Sequence, residues 1–438
     1  ISGRPLVYLC AACSSLCSVL LGYDVGVMSG AKEYIQPDLE LSDSQTAVIV
    51  GSLNLVAALG ALMAGKAADA LGRRVTIALA CTVFIVGAAM MAGSGSFGAL
   101  LTGRVVTGVG VGAAMMVAPI YIAELAPPDV RGALVSLTDI SINLGILLGY
   151  GGAILFDSVL TGESAKWRAM VGAGAIPPAL VLMCLVCMPE SPRWLIAKGN
   201  PRAGYSVLLR ILADAKAART SLHEMTESIS HHAREARWKD VLCPSDRAIA
   251  AAVSIGLGLG FWQQASGSEA AVYYSPEVLK HSGWDGRDLL LGNMAVGTFK
   301  LAGEVVAFFL LDRVGRRPLL LVSSITSTLC LMAIALAFHL QWGGGAVLFL
   351  LSSFMLCFSL GLGPVTFVVA SEIFPLAVRG KAMSLVVFIN RAMSGIIALS
   401  YTALATALAP SGSFLMFAAL SGISVLFYYW KVPETNGE

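Results

Sequence analysis

The chain has 438 residues, 57% of them hydrophobic and only 13% charged, with a formal net charge of +2 at pH 7. Soluble domains carry about 25% charged residues, so this sequence cannot clothe a water-borne globule in polar surface. The near-even charge gives no footing for nucleic acid, and a mean hydropathy of +0.78 points to a membrane.

Apolar runs of roughly 20 residues, long enough to cross a bilayer, recur along the chain. They fall near 6–29, 45–65, 74–93, 99–122, 132–155, 167–188, 248–268, 289–311, 317–340, 345–369, 380–404 and 411–430. The expected fold is an all-α membrane protein with twelve transmembrane helices in two six-helix bundles, 1–188 and 248–432. A linker at 189–247 joins them, and 433–438 forms a tail. The linker is the long polar segment, and "RAGYSVLLRILADAKAARTSLHEM" spaces its apolar residues at helical intervals, which predicts short amphipathic helices.

Charge placement orients the chain. With the N-terminus in the cytoplasm, the inside segments hold most of the 29 Lys and Arg, whereas the outside loops hold only Lys32, Lys166, Arg168, Lys280 and Arg287. Both termini are therefore expected inside, in a monomer in the lipid bilayer of the plasma membrane. Cys10 with Cys13, and Cys184 with Cys187, have CxxC spacing, but each pair lies on a predicted membrane helix without nearby His. The nine cysteines read as small packing residues, and no metal or cofactor is expected.

The chain repeats itself. "GKAADALGRRV" from 65 returns as "FLLDRVGRRPL" from 309, matching Asp69 to Asp312 and Arg73 to Arg316, with Arg74 and Arg317 beside them. "AELAPPDVRGALVSL" from 123 returns as "SEIFPLAVRGKAMSL" from 371, matching Glu124 to Glu372 and Arg131 to Arg379. "PESPR", with Glu190 and Arg193, has a weaker echo in "PETNG", with Glu434. Parallel repeats build the central binding site of one large transporter class. Charges at helix ends are ordinarily snorkelling arginines and their neighbours. Their repetition in both halves favours a cytoplasmic latch, with Asp69 paired to Arg73 and Arg74, Glu124 to Arg131, and Glu372 to Arg379.

These motifs resemble the sugar porter family of the major facilitator superfamily over essentially the whole chain. The resemblance rests on "DALGRR", "PIYIAELAPPDVRG", "PESPRWL", "QQASG", "YYSP", "DRVGRR", "SEIFP" and "PETNG". Within the family, "GLGFWQQASGSEAAVYYSPEVLKHSG" and "VGTFKLAGEVVAFFLLDRVGRRPLLL" look most like the plant polyol and monosaccharide proton symporters. The resemblance implies alternating access by two rocking bundles, with a polyol or sugar and protons as cargo.

One carboxylate needs explaining. Asp24, in "LLGYDVGVMSGA", stands in an apolar, glycine-rich helix a few residues short of the expected outside loop. Helix 4 runs the other way and places Arg104 at similar depth. Gly22, Gly26 and Gly30 repeat every four residues, as do Gly108 and Gly112, a spacing that permits close helix contact, expected here between helices 1 and 4. Desolvation raises a carboxylate's pKa and a neighbouring cation lowers it, so a pair that separates during the cycle would bind and release a proton. A static structural ion pair is the competing reading. By resemblance, Asp24 and Arg104 match the proton-site pair of proton-coupled sugar porters.

Resemblance also supplies the cavity. Gln263, Gln264 and Asn390 are implied to bind substrate hydroxyls, since an amide both donates and accepts without charge. Phe367 stands where most members carry a tryptophan, and Tyr273 and Tyr274 match the outer-gate aromatics. Asp139, Glu269 and Lys300 depart from the hexose pattern towards the polyol branch, and Arg391 lies beside Asn390. Glu304 is one turn beyond Lys300, so the two could pair on one face, in the weaker orientation with the lysine N-terminal. Asp24, Asp139, Glu269 and Glu304 against Arg104, Lys300 and Arg391 leave one surplus acid, able to hold a proton. Asp139 and Glu269 rival Asp24 as its carrier.

Alternatives remain open. A facilitative uniporter would retain Asp24 as structure, and a transport-like sugar sensor would be expected to carry a longer tail beyond "PETNG". A fixed-pore channel leaves the repeated charged motifs unexplained. An enzyme is not expected: "GVGVG" (108–112) lies within a membrane span, and there is no nucleophile–base constellation.

Overall fold

The computed structural model describes residues 3–127, 130–231 and 238–435. Helix α1 spans Arg4–Asp38, α2 Asp43–Leu71, α3 Arg73–Ala92, α4 Phe97–Leu125 and α5 Arg131–Val159. Next, α6 (Glu163–Gly172) runs through a 3-10 turn into α7 (Ile176–Leu185), completing a sixth span. Four short helices follow: α8 (Pro192–Ala197), α9 (Pro201–Leu212), α10 (Ala215–His231) and α11 (Trp238–Leu242). The second half comprises α12 (Arg247–Ala265), α13 (Ser268–His281), α14 (Gly286–Val314), α15 (Arg316–His339), α16 (Gly344–Leu360), α17 (Leu362–Ile373) and α18 (Leu376–Lys431).

Eleven helical segments are long and apolar enough to cross a membrane. The last contains two spans, because Ala409 leaves the helical region (φ 57, ψ 166) just before Pro410, and proline cannot continue the hydrogen-bond ladder. Twelve spans in two six-helix bundles result. Large apolar side chains such as Met63, Val186, Phe349 and Trp430 stay exposed on the outside of the bundle, a surface suited to lipid and costly in water.

Glycine sets the tightest seam, though not between the expected helices. A Cβ on Gly22 would lie 1.9 Å from the Ile142 carbonyl oxygen, and one on Gly26 2.2 Å from that of Ile146. In return, a Cβ on Gly145 or Gly149 of α5 would lie 2.5 Å from Val19 O or Val27 N. The α1 glycines therefore face α5. Gly108 and Gly112 of α4 face Val56 and Ala57 of α2. Spacing identifies a face that accepts close packing; it does not name the partner.

The bundles meet along α2 with α18, α5 with α14, and α1 with α13. Both termini lie at the linker end: Gly3 N donates to Arg210 O at 2.7 Å, and Glu434 caps α15. Helix α1 reaches Asp38, so Lys32 is not in a loop; it is helical and 2% exposed. Asp24 accordingly sits near mid-helix rather than close to its end.

The repeated charged motifs build helix junctions at the linker end. Four arginines reach back five residues to a carbonyl at the end of the preceding helix: Arg73 to Ala68 O (3.0 Å), Arg131 to Ala126 O (3.4 Å), Arg316 to Leu311 O (3.2 Å) and Arg379 to Phe374 O (3.1 Å). Carbonyls at a helix end have acceptor capacity to spare; Ala68 O also takes the Gly72 N–H at 3.1 Å. Arg131 and Arg379 are thereby occupied, and the expected pairs with Glu124 and Glu372 do not form. Glu124 instead holds Arg73 at 2.9 Å, and Glu372 holds Arg316 at 3.2 Å. The exposed Asp69 pairs with Arg73 at 3.2 Å; Arg74 donates to Val186 O and Arg317 to Tyr429 O. Each of these pairs stays within one bundle.

The weak echo between "PESPR" and "PETNG" has a structural meaning. Glu190 accepts the backbone N–H groups of Arg73 (3.0 Å) and Arg74 (3.2 Å), and Glu434 those of Arg316 (2.9 Å) and Arg317 (3.1 Å). Each carboxylate caps the free N–H groups at a helix start, where the dipole favours negative charge. The preceding Gly72 and Gly315 both have φ of +97°, a backbone glycine alone adopts easily. Arg193 is exposed and pairs with no acid among the described residues. The Asp312 side chain lies outside the described part of the structure.

Candidate functional site

Two broken helices frame a polar cavity between the bundles. Helices α12 and α13 are separated at Gly267 (φ +82°), and α16 and α17 at Gly361, where a Cβ would lie 2.4 Å from Leu319 O. Broken backbone is tolerated at membrane depth where protein or a cavity satisfies it. The carbonyls of Leu362 and Gly363, in the first turn of α17, accept from Gln263 Nε2 at 2.7 and 2.8 Å.

The cavity collects Asp139, Gln263, Gln264, Glu269, Lys300, Phe367 and Arg391, as expected, together with Asn143 and Glu304. Asn390 lies just behind, fully buried. The water-accessible volume is about 80 Å³; a single water needs roughly 10–15 Å³ on that measure, so several waters or hydroxyls fit.

The amides are largely engaged with one another. Asn390 Nδ2 donates to Gln263 Oε1 at 2.5 Å, Gln264 Nε2 donates to Asn390 Oδ1 at 3.2 Å, and Arg391 donates to the same oxygen at 2.7 and 3.0 Å. Arg391 also pairs with Glu269 at 3.7 Å. Lys300 does not pair with Glu304. It reaches across the bundles to Asn143 Oδ1 at 2.7 Å, a partner on α5 that one-helix spacing does not reveal.

Asp24 and Arg104 do meet. Arg104 Nη1 lies 2.5 Å from Asp24 Oδ2, with the two residues 0% and 4% exposed respectively. Arg104 is also anchored to α2, through Nε to Ile49 O at 2.9 Å and Nη2 to Val50 O at 3.5 Å. Leu21 and Val25, the neighbours of Asp24 on α1, line the cavity. A shift of α1 that reshapes the cavity therefore also moves the carboxylate against a fixed guanidinium.

On the side of the cavity away from the linker, contacts join the two bundles, several of them unforeseen. Lys32 Nζ lies 2.7 Å from Glu277 Oε1 and 4.0 Å above the Tyr274 ring. Asn54 Nδ2 donates to Tyr273 OH at 3.1 Å, and Tyr150 OH to Val272 O at 3.0 Å. Within the second bundle, Tyr274 OH donates to Ala398 O at 2.7 Å. The Lys32–Glu277 pair, buried on its lysine side, was hidden by reading Lys32 as a loop residue.

Comparison with known proteins decides the family. A family model described as "Sugar (and other) transporter" matches residues 10–438. The chain belongs to this family. Among its relatives, "Probable polyol transporter 4" of Arabidopsis thaliana is 42% identical over 445 residues, covering 99% of this chain and 84% of the relative. The solved proton:xylose symporter XylE, bound to 6-bromo-6-deoxy-D-glucose, superposes with a TM-score of 0.87 at 26% identity, over 99% of this chain and 97% of that one. A partially occluded inward-open form of XylE from E. coli gives 0.88 at 25% identity, over 99% and 100%. The sugar transporter is thus an integral membrane protein of the major facilitator fold, and its relatives are transporters rather than enzymes.

Proposed function

We propose that the protein is a proton-coupled symporter of a polyol or monosaccharide, working by alternating access, with Asp24 and Arg104 as the proton site. The buried 2.5 Å pair carries this reading. Breaking a buried ion pair leaves a charge that costs about 3–5 kcal/mol, so a state that separates Asp24 from Arg104 favours a protonated carboxyl. The names of the relatives, a polyol transporter and a proton:xylose symporter, support the cargo.

Asp139, Gln263, Gln264, Glu269, Lys300, Phe367, Asn390 and Arg391 form the substrate site, and Tyr273 and Tyr274 the gate. The charged junctions at the linker end brace each bundle as a unit that rocks. The protein acts as a monomer in the plasma membrane with both termini cytoplasmic. The test is reconstitution in liposomes holding a pH-sensitive dye, with sorbitol, xylitol, myo-inositol or glucose added outside. Entry with internal acidification supports the reading. Entry without proton movement leaves a uniporter, with Asp24 and Arg104 as structure.

A further inference from the structure

The cavity's unmet hydrogen-bonding capacity does not lie where the amides are. Gln263, Gln264 and Asn390 spend most of their donors and acceptors on one another and on backbone carbonyls. The remaining acceptors are carboxyls. Glu304, on α14, is 4% exposed and lines the cavity; its carboxyl has the Asn143 amide beside it and no ion pair among the described residues. Asp139, on α5, lines the same cavity, and no hydrogen bond or ion pair to its carboxyl is found among the described residues.

The neighbours confirm the imbalance. Glu269 has Arg391, and Lys300 is turned to Asn143, so two cations serve three acids. Gly363 faces Glu304 from α17, where a Cβ would lie 3.2 Å from its Oε2; the glycine leaves the carboxyl its room. A buried carboxylate short of donors is costly. A ligand rich in hydroxyls supplies those donors, and Lys300, which has three N–H groups and uses one, can donate back. An anionic ligand would add repulsion to a cavity already in acid surplus.

We infer that Glu304 is a specificity-determining residue that accepts hydrogen bonds from adjacent hydroxyls of the substrate, facing Asp139 across the bundle seam. Ligand hydroxyls held between the two carboxyls tie α14 to α5, so that occupancy draws the bundles together. The inference rests on the proposed transport of a polyol or sugar and assigns the residue that selects it. The spacing of Lys300 and Glu304 allows a mutual ion pair; the lysine goes to Asn143 instead, which leaves Glu304 for the ligand.

The test is a double-mutant cycle run on uptake of labelled sorbitol by the full chain in a transport-null cell. Competitors are sorbitol analogues lacking one hydroxyl at each position in turn, and gluconate. Wild type should lose about tenfold in apparent affinity for the analogue that lacks a hydroxyl bound by Glu304, the scale of a hydrogen bond to a charged group. Glu304→Gln should lose about tenfold for sorbitol, lose little more for that analogue, and accept gluconate better. Glu304→Asp, which keeps the acceptor, is the second variant should the first fail to reach the membrane. Additive losses at every position, with gluconate still rejected, overturn the assignment and leave the symport reading standing. No uptake of sorbitol, xylitol, myo-inositol or glucose by the unaltered chain overturns both.

Discussion

Replacing Glu277 with Gln should tilt the protein away from the conformation described above. The Lys32–Glu277 pair joins α1 to α13 at 2.7 Å, with side-chain exposures of 2% and 33%. Removing one partner of a fully buried pair costs about 3–5 kcal/mol, whereas exposed pairs are worth about 0–1 kcal/mol. With the carboxylate one-third exposed, about 2 kcal/mol is the reasonable share, and that share is lost only in the state where the pair is made. At 1.4 kcal/mol per factor of ten, the ratio of closed to open far ends falls by roughly 30-fold. The assay is the rate at which an impermeant thiol reagent, applied outside, labels a cysteine placed at cavity-lining Ile146. Labelling should quicken in Glu277→Gln and Lys32→Met, and the charge swap Lys32→Glu with Glu277→Lys should slow it again. Unchanged labelling in both single variants would show that the pair carries no gating energy.

Three further outcomes follow from the packing and the junctions. Gly22→Ala should lower thermal stability by more than the usual 1–3 kcal/mol of overpacking, because its Cβ meets Ile142 O at 1.9 Å, while Gly65→Ala, with nothing within 4 Å, should not. Thermal unfolding in detergent measures both. Glu190→Gln should cost about 1 kcal/mol through the weakened cap on α3, with Glu434→Gln similar on α15; equal melting temperatures would contradict the capping role. Arg104→Lys should impair coupling although charge is kept, since one ammonium cannot hold Asp24, Ile49 O and Val50 O in the same geometry; proton uptake per substrate is the readout.

Much of the fold was legible because membrane spans announce themselves by length and hydropathy, and because the halves repeat. Helix number survived even where Ala409 bends α18 without an apolar gap. What the sequence concealed was pairing in three dimensions. The α1 glycines mark a close-packing face but not α5 as its partner. The repeated arginines mark helix ends, and only coordinates reveal that each folds back on a carbonyl five residues earlier. Asp24 and Arg104 were found because topology places them at matching depth. Lys32 was missed because a cation after a glycine-rich stretch reads as a loop, whereas α1 continues to Asp38. Likewise, Lys300 and Glu304 share a helix face, yet a cross-bundle amide captures the lysine.

The central claim is that Asp24 couples protons to transport. It is tested most directly by uptake of labelled sorbitol, xylitol, myo-inositol and glucose in a transport-null cell. Wild type and Asp24→Asn are compared at acid and neutral external pH, with and without a protonophore. The account predicts accumulation by the wild type at acid pH, its collapse with protonophore, and no accumulation by the variant. Uptake that is indifferent to pH and protonophore, and equal in the two proteins, would contradict it and reduce the Asp24–Arg104 pair to a structural tie.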